Sequence, residues 1–249
     1  RFTGARFEFD GVLTDENGNA ATYTPGSATY VASTFDKALV IAAADHVTIP
    51  RVPVTNAPRL VPGEGCIVLV VKPAFAGTDA VLHTFLDSGG PTTNRLRIRK
   101  TVANTLEFEI LDTAAGSKKI AGAVSWAANA EQSIVAVYQS DGTMQLFLNN
   151  APFGTTSGAG TGQLASLGTT IFLGADTGGL NRAAGDVERL ALFTKGYTMN
   201  ASLADVLKKA VSTERNYYAK AELIQPTNPA RTHNQVELYH MPLAIRKSA

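Results

Sequence analysis

What this sequence lacks narrows its function before any motif is read. Its 249 residues hold a single cysteine, Cys66, so no internal disulfide can form. Charged residues make up only 17 %, below the ~25 % usual for globular chains, and the net charge is +1. That balance gives no electrostatic case for nucleic acid or an anionic membrane as a partner. The strongly apolar run Cys66–Val71 is far shorter than the roughly 20 residues a membrane-spanning helix needs. Four histidines, His46, His83, His233 and His240, are scattered and form no H-x-x-x-H metal motif. No glycine-rich loop opens a helix after a strand, so a phosphate cradle is not indicated. The chain opens at Arg1 rather than Met and shows no leader-like pattern, so localisation is not read from its start.

What is present points to a sheet protein. Hydrophobic residues make up 45 %, enough for a core, and small and β-branched residues fill the place of charge. The length suits a one-domain sandwich of roughly 200–250 residues. Turn signals recur about every ten residues between short alternating segments, as in a sandwich or barrel. Ile134–Gln139 and Met144–Asn149 flank Asp141-Gly142, which predicts a hairpin with a type I′ turn. A second hairpin is expected over Arg95–Leu111. There Arg95, Arg97 and Arg99 alternate with Leu96 and Ile98, and Glu107 and Glu109 alternate with Leu106, Phe108 and Ile110. Pairing sets an arginine row beside a glutamate row, which disfavours register slips and explains the arginines without nucleic acid.

Further strands are expected at Ala5–Phe9, Ala38–Ala42, His46–Ile49, Cys66–Lys72, Ala80–Leu86, Thr169–Gly174 and Glu188–Phe193. Ser157–Gly162 reads as a long loop. One helix is expected at Ala201–Val211, capped by Asn200, with Leu203, Val206, Leu207 and Ala210 at helical spacing. Residues 1–212 thus read as one sandwich domain and 213–249 as a C-terminal extension. In that extension Pro226, Pro229 and Pro242 exclude a continuous helix or central strand. Tyr217, Tyr218 and Tyr239, with the alternating Gln235–Tyr239, suit an assembly arm.

Several segments, in order, carry a resemblance. Phe7–Asn19 is similar to a Phe-Asp-Gly strand followed by an Asp-x-x-Gly-Asn turn. Tyr30–Leu39 resembles a G-x-F-G-x-A-L stretch, with Ser33 and Asp36 in place of its glycines. Asp45–Pro50 matches D-x-V-x-I-P. Ile134–Asn150 resembles a hairpin ending D-G-x-x-x-L-Y-x-N-G, with Phe147 for Tyr and Asn150 for the last Gly. Ile171–Gly174 and Gly185–Phe193 are similar to I-x-I-G and G-x-I-D-E-V-R-I-Y. Over residues 7–211 the chain resembles the LamG-like, concanavalin A-like lectin/glucanase superfamily. The resemblance implies an all-β antiparallel jelly roll with one short C-terminal helix, one sheet of which is concave and often holds a carbohydrate or protein.

The superfamily includes glucanases, which set carboxylates at alternate positions of one strand. Here Glu107 and Glu109 share a face but Asp112 breaks the alternation, and Asp186 with Glu188 lacks a third member. No catalytic, cofactor or metal residue is therefore assigned, and the chain is expected not to be an enzyme. No cofactor is assigned either. Calcium is a possibility raised by the resemblance, with Asp15-Glu16-Asn17-Gly18-Asn19 and Asp87-Ser88-Gly89-Gly90 as the oxygen-rich turns. Cys66 reads as a buried small hydrophobe, since a reactive thiol needs a base and an electropositive setting. Trp126, the one tryptophan, reads as core, while Tyr23 and Tyr30 are candidate surface aromatics. The expected function is a non-catalytic structural or binding protein. A tailed-phage virion component (capsid decoration, baseplate or fibre) assembling with copies of itself or other virion proteins is the first reading. A carbohydrate-binding module of a secreted or surface protein, meeting a glycan outside the cell, is the alternative.

Overall fold

The computed structural model describes residues 4–196 apart from 10, 16, 34–35, 54–56, 91 and 115. The helix expected at 201–211, the extension 213–249, His233 and His240 lie outside the described residues. Within them sixteen strands, β1 to β16 in chain order, form two antiparallel sheets. The first sheet runs β13 (Ala151–Pro152), β12 (Met144–Leu148), β11 (Gln132–Tyr138), β6 (Gly65–Pro73), β16 (Gly185–Phe193), β4 (Asp36–Ile41) and β3 (Thr29–Ser33). β1 (Gly4–Phe7) pairs with β16 as well. The second sheet runs β14 (Thr155–Ser157), β10 (Ser117–Ala123), β9 (Thr105–Leu111), β8 (Arg95–Lys100), β7 (His83–Gly89), β15 (Thr170–Leu173), β5 (His46–Pro50) and β2 (Thr22–Thr24). This is the all-β jelly-roll sandwich that the alternation predicts.

The core lies between the sheets. Leu96 and Ile98 of β8 and Leu106, Phe108 and Ile110 of β9 meet Ile67 and Leu69 of β6, Ile134 of β11 and Leu190 of β16 in one buried cluster. Period-2 alternation produces this directly, because successive strand side chains point to opposite faces. β6 departs from the rule, and its burial explains why. Ile67, Leu69 and Val71 face the core, while Cys66 and Val68 join Val135, Val137, Phe147 and Ala191 in a second cluster on the other face. A strand buried on both faces reads as a continuous apolar run.

Both expected hairpins form. Arg97 pairs with Glu109 and Arg99 with Glu107 across β8 and β9. Ile134 pairs with Leu148 and Tyr138 with Met144 across β11 and β12. The turn between the latter is not type I′, which needs two left-handed residues. Gly142 alone is left-handed (φ 82), and its N–H donates to Gln139 O at 2.9 Å. Asp141 accepts from Thr143 N at 2.8 Å, which holds it out of the left-handed region. The two-residue turn with both centres left-handed lies next along the chain, at Asn149 (φ 51) and Asn150 (φ 71), between β12 and β13.

Other boundaries moved for local reasons. The strand expected at Ala80–Leu86 begins at His83, because Asp79 folds the chain into a turn: Val81 N donates to it at 3.1 Å and Ala80 is left-handed (φ 54). β10 escapes the pattern because only Ile120 reaches the core from it. Thr155–Ser157 pairs with β10, so the glycine-rich segment starts from a strand. A Cβ at Gly158 would sit 2.1 Å from Ser117 O, so glycine there permits the close approach. Tyr23 is buried, donating to Val40 O and to Asp45 at 2.6 Å, which removes it as a surface aromatic. Its hydroxyl pKa is pushed up to about 12 by burial and by Asp45.

One buried ion pair ties the N-terminal turn to the sandwich. Arg59, 1 % exposed, donates to Asp15 at 2.7 Å, to Pro50 O at 2.5 Å and to Asn19 O at 3.3 Å. Its guanidinium lies 5.2 Å from the Phe7 ring centre. Removing one partner leaves an uncompensated buried charge, which costs roughly 3–5 kcal/mol. Arg59→Ala is therefore expected to lower unfolding free energy by about that amount in urea titration, while Arg6→Ala, at a half-buried pair, changes it by less than about 1 kcal/mol.

Candidate functional site

The face of the second sheet that points away from the core carries an interlocked row of charges. Asp87 of β7 faces Arg97, Arg97 faces Glu109 and Arg99 faces Glu107 by register. Arg95 grips Asp87 through Nε at 3.0 Å to both oxygens and through a guanidinium nitrogen. Glu109 accepts from Arg97 and from Ser117 Oγ at 2.6 Å, and Arg99 lies 3.2 Å away. Glu107 accepts from Arg99 at 2.9 Å and from Lys119 at 2.8 Å. The carboxylates are buried beneath the longer cations. Burial acts to raise the Glu109 pKa, but hydrogen bonds from Ser117 and Arg97 outweigh it and hold the carboxyl below its usual 4.5. The hydrogen bond to Asp87 raises Arg95.

A glycosidase needs one carboxyl kept protonated beside one kept ionised; on this face burial raises the Asp87 pKa while that of Glu109 is lowered, but each carboxylate is held by an arginine, Arg95 on Asp87 and Arg97 on Glu109. Asp112, the third carboxylate in sequence, caps the following loop instead. It accepts from Thr161 N at 2.9 Å, Gly116 N at 2.8 Å and Ala114 N at 3.0 Å. The Thr161 backbone donor is the main reason its pKa is lowered. Asp186 and Glu188 are separated by an irregularity in β16, and Glu188 is fully buried against Lys72 at 2.6 Å. Both turns considered for calcium hold an arginine in the place of a cation, Arg59 on Asp15 and Arg95 on Asp87. Among the described residues no group of three His, Cys, Asp or Glu side chains is placed to hold a metal.

The remaining reactive types are packed. Burial pushes the Cys66 thiol pKa up. His83 stacks on Phe75 at 3.6 Å and faces Arg182 O and Asp79 Oδ2 at 2.7 and 2.6 Å. His46 is buried and stacks at 5.9 Å on Phe172, which lies beside Asp87 on the charged face. Tyr30 is half-buried against the core.

A recess lies elsewhere, where the chain after β10 of the second sheet passes β11 and β12 of the first. A groove of about 320 Å³ is lined by Val124, Ser125, Trp126, Gln132, Leu148 and Asn149. Three distant segments build it: the chain after β10, the start of β11 and the end of β12. Trp126 sits largely in the core, its Nε1 donating to Phe75 O at 3.2 Å and its ring packed on Phe75 and Phe85. The amides beside it are locked. Asn149 Oδ1 accepts from Ser133 N at 2.9 Å, Asn149 Nδ2 donates to Gln132 Oε1 at 3.0 Å, and Gln132 Nε2 donates to Ala130 O at 3.2 Å. No ionisable side chain lines the groove. Sequence reading placed Trp126 in the core but missed the groove, because its walls are far apart along the chain.

The sequence model of the concanavalin A-like lectin/glucanases superfamily matches residues 42–201. The chain belongs to this superfamily. No curated protein sequence matches it. Solved structures share the fold of this concanavalin A-like domain at low identity. Domain 4 of AbnA, a GH43 extracellular arabinanase from Geobacillus stearothermophilus, in complex with arabinotriose, is 15 % identical. It has a TM-score of 0.56 and matches over 86 % of this chain and 100 % of its own. The botulinum neurotoxin serotype G binding domain is 14 % identical, with a TM-score of 0.60 over 83 % of this chain and 50 % of its own. The serotype D ligand binding domain in complex with N-acetylneuraminic acid is 13 % identical, with a TM-score of 0.62 over 83 % and 50 %. The chain thus spans about half the length of the toxin domains it matches.

The charged face has a consequence for pH. A carboxyl whose folded pKa lies below its unfolded value adds stability that is complete above the unfolded value and is lost as pH falls through the folded one. Glu109, Asp112, Asp15 and Asp176 all shift in that sense. Unfolding free energy is expected to fall below about pH 4, a loss opposed by Asp87 and Asp186, whose pKa values burial raises. Glu109→Gln is expected to shrink that fall in urea titrations across pH.

Proposed function

We propose that this domain is a non-catalytic carbohydrate-binding module whose groove takes a neutral oligosaccharide. The observation that carries the reading is the groove itself: an uncharged recess with an indole in its wall and two amides held in place. Its volume is at the lower end of the roughly 300–1,000 Å³ typical of ligand sites. An amide nitrogen has two hydrogens. The bonds described use one on Gln132 and one on Asn149, so each keeps a donor for a ligand hydroxyl. Ser125, exposed at the groove edge, adds a hydroxyl. Sugars present hydroxyl edges and C–H faces, and amides beside an aromatic wall meet both. Preformed groups lose little freedom on binding. Two structural neighbours support the reading: one carries arabinotriose and the other N-acetylneuraminic acid.

The non-enzymatic reading rests on the pairing of Glu107, Glu109, Asp112 and Glu188 with cations or backbone donors. Such a module acts where glycans are displayed, outside the cell or on a virion surface. The other reading, a virion component assembling through residues 213–249, has its sequence support outside the described residues and draws none from the named neighbours.

Calorimetric titration with arabinotriose is expected to give saturable binding. Ser125→Arg, which fills the groove from its exposed edge, is expected to weaken it at least about tenfold, or 1.4 kcal/mol, without changing thermal stability. Phe172→Ala on the charged face is expected to leave affinity unchanged. No turnover of laminarin or lichenan is expected from the wild type. Undiminished binding by Ser125→Arg, or measurable hydrolysis, contradicts this proposal.

A further inference from the structure

The loop from β6 to β7, residues 74–82, is tied on one side to the wall of the groove and on the other to a buried charge cluster. Phe75 O accepts from Trp126 Nε1 at 3.2 Å, and the two rings lie 6.4 Å apart, centre to centre. Gly77 N donates to Trp126 O at 2.9 Å, and a Cβ on Gly77 would lie 2.9 Å from Trp126 N. Asn104, in the turn after β8, adds a second tie. Its Oδ1 accepts from Ala80 N at 3.2 Å, and its backbone oxygen accepts from Val124 N at 2.9 Å. Trp126 and Val124 both line the groove. A displacement of this loop therefore displaces the groove wall.

His83 holds the same loop from behind. Its ring lies flat on Phe75, with centres 3.6 Å and planes 9° apart. Both ring nitrogens face acceptors: Nδ1 meets the Arg182 carbonyl oxygen at 2.7 Å and Nε2 meets Asp79 Oδ2 at 2.6 Å. Asp79 is gripped as well by Lys100, which is 0 % exposed and stands opposite His83 in register, and it accepts from Val81 N at 3.1 Å. Burial acts to raise the Asp79 pKa, but hydrogen bonds from Lys100 and His83 outweigh it and hold the carboxyl below its usual 3.8. A carbonyl oxygen and an ionised carboxylate can only accept, and a neutral imidazole has a single N–H. Only the doubly protonated ring satisfies both partners. Loss of one proton leaves a bare ring nitrogen against an acceptor. The remaining charge nearby, the Arg182 guanidinium, turns its Nε to Gly179 O at 2.7 Å. On the groove side the ring meets Phe75, itself packed on Trp126, and neither of these titrates.

On the reading of the groove as a sugar site, we propose that His83 is its proton-sensitive positioning residue: doubly protonated, the ring pins the 74–82 loop and with it the Trp126 wall, and loss of a proton releases both. His83 touches no ligand in this arrangement and acts through Phe75 and Asp79, which grip the ring by its face and by its edge. Histidines titrate between about pH 5 and pH 8, so sugar affinity falls as pH rises through that span. Lys100 and Asp79 keep their charges throughout it, so the change is confined to the ring.

The wild-type full chain without ligand gives the first test, which needs no variant to fold. Between about pH 5 and pH 8, the Trp126 indole N–H resonance is expected to move along the same curve as the His83 ring Cε1–H resonance. In His83→Gln, which cannot titrate, the indole resonance is expected to stay still. Calorimetric titration with arabinotriose is expected to show affinity about fivefold weaker at the alkaline end, the low end of ordinary coupling between sites, and a flat profile in His83→Gln. His46→Gln, whose ring stacks on Phe172 away from the groove, is expected to keep the wild-type profile. An indole resonance that ignores the His83 titration overturns the proposal, whatever the sugar does. An affinity profile that survives in His83→Gln overturns it too. An indole that follows His83 while arabinotriose binds at no pH upholds the pinning of the wall and overturns the sugar reading of the groove alone.

Discussion

Ile67, Leu69 and Val71 point from β6 into the sandwich, Cys66 and Val68 point out of it, and all are sealed from water. This double-sided burial fixes the place of β6 at the middle of its sheet, with β11 on one side and β16 on the other. It also explains the lone cysteine without chemistry: a thiol there is a small apolar side chain whose ionised form burial disfavours. The hairpin β11–β12 hangs from β6, and that hairpin carries Gln132 and Asn149 to the groove wall beside Trp126. The groove is thus held by the same strand that anchors the core.

The second sheet meets a different constraint. Its outer face is charged, and opposite signs alternate across β7, β8, β9 and β10 so that each carboxylate meets at least one cation. Such a network specifies register, since a one-residue slip would turn every charge inward. Asp15, Asp112 and Asp176 repeat the theme at turns, where their oxygens accept backbone N–H groups.

Much of the fold is legible in the sequence, because alternation on β8 and β9 is strict and the arginine and glutamate rows match in register. The apolar run at β6 announces burial, though not that two separate clusters cause it. Local turn chemistry is less legible. Asp141-Gly142 and Asn149-Asn150 both fit a type I′ turn, and only the hydrogen bond from Thr143 to Asp141 and the register of β13 decide between them. β10 and β14 are quiet because one apolar residue, Ile120, does their packing. The groove is the least legible feature of all. Gln132 belongs to no motif, Asn149 is part of the hairpin motif with no sign that it lines a recess, and Trp126 reads as core, correctly, while its edge also forms the groove wall.

Trp126 offers the most direct test, because one tryptophan gives one indole N–H resonance. In a ¹⁵N–¹H titration of the full chain with arabinotriose, that resonance and the side-chain amide resonances of Gln132 and Asn149 are expected to shift together along one saturable curve, with the Arg95, Arg97 and Arg99 side-chain signals still. Shifts confined to the arginine side chains and Phe172, or no shift at saturating sugar, would contradict the account of the groove as the binding site.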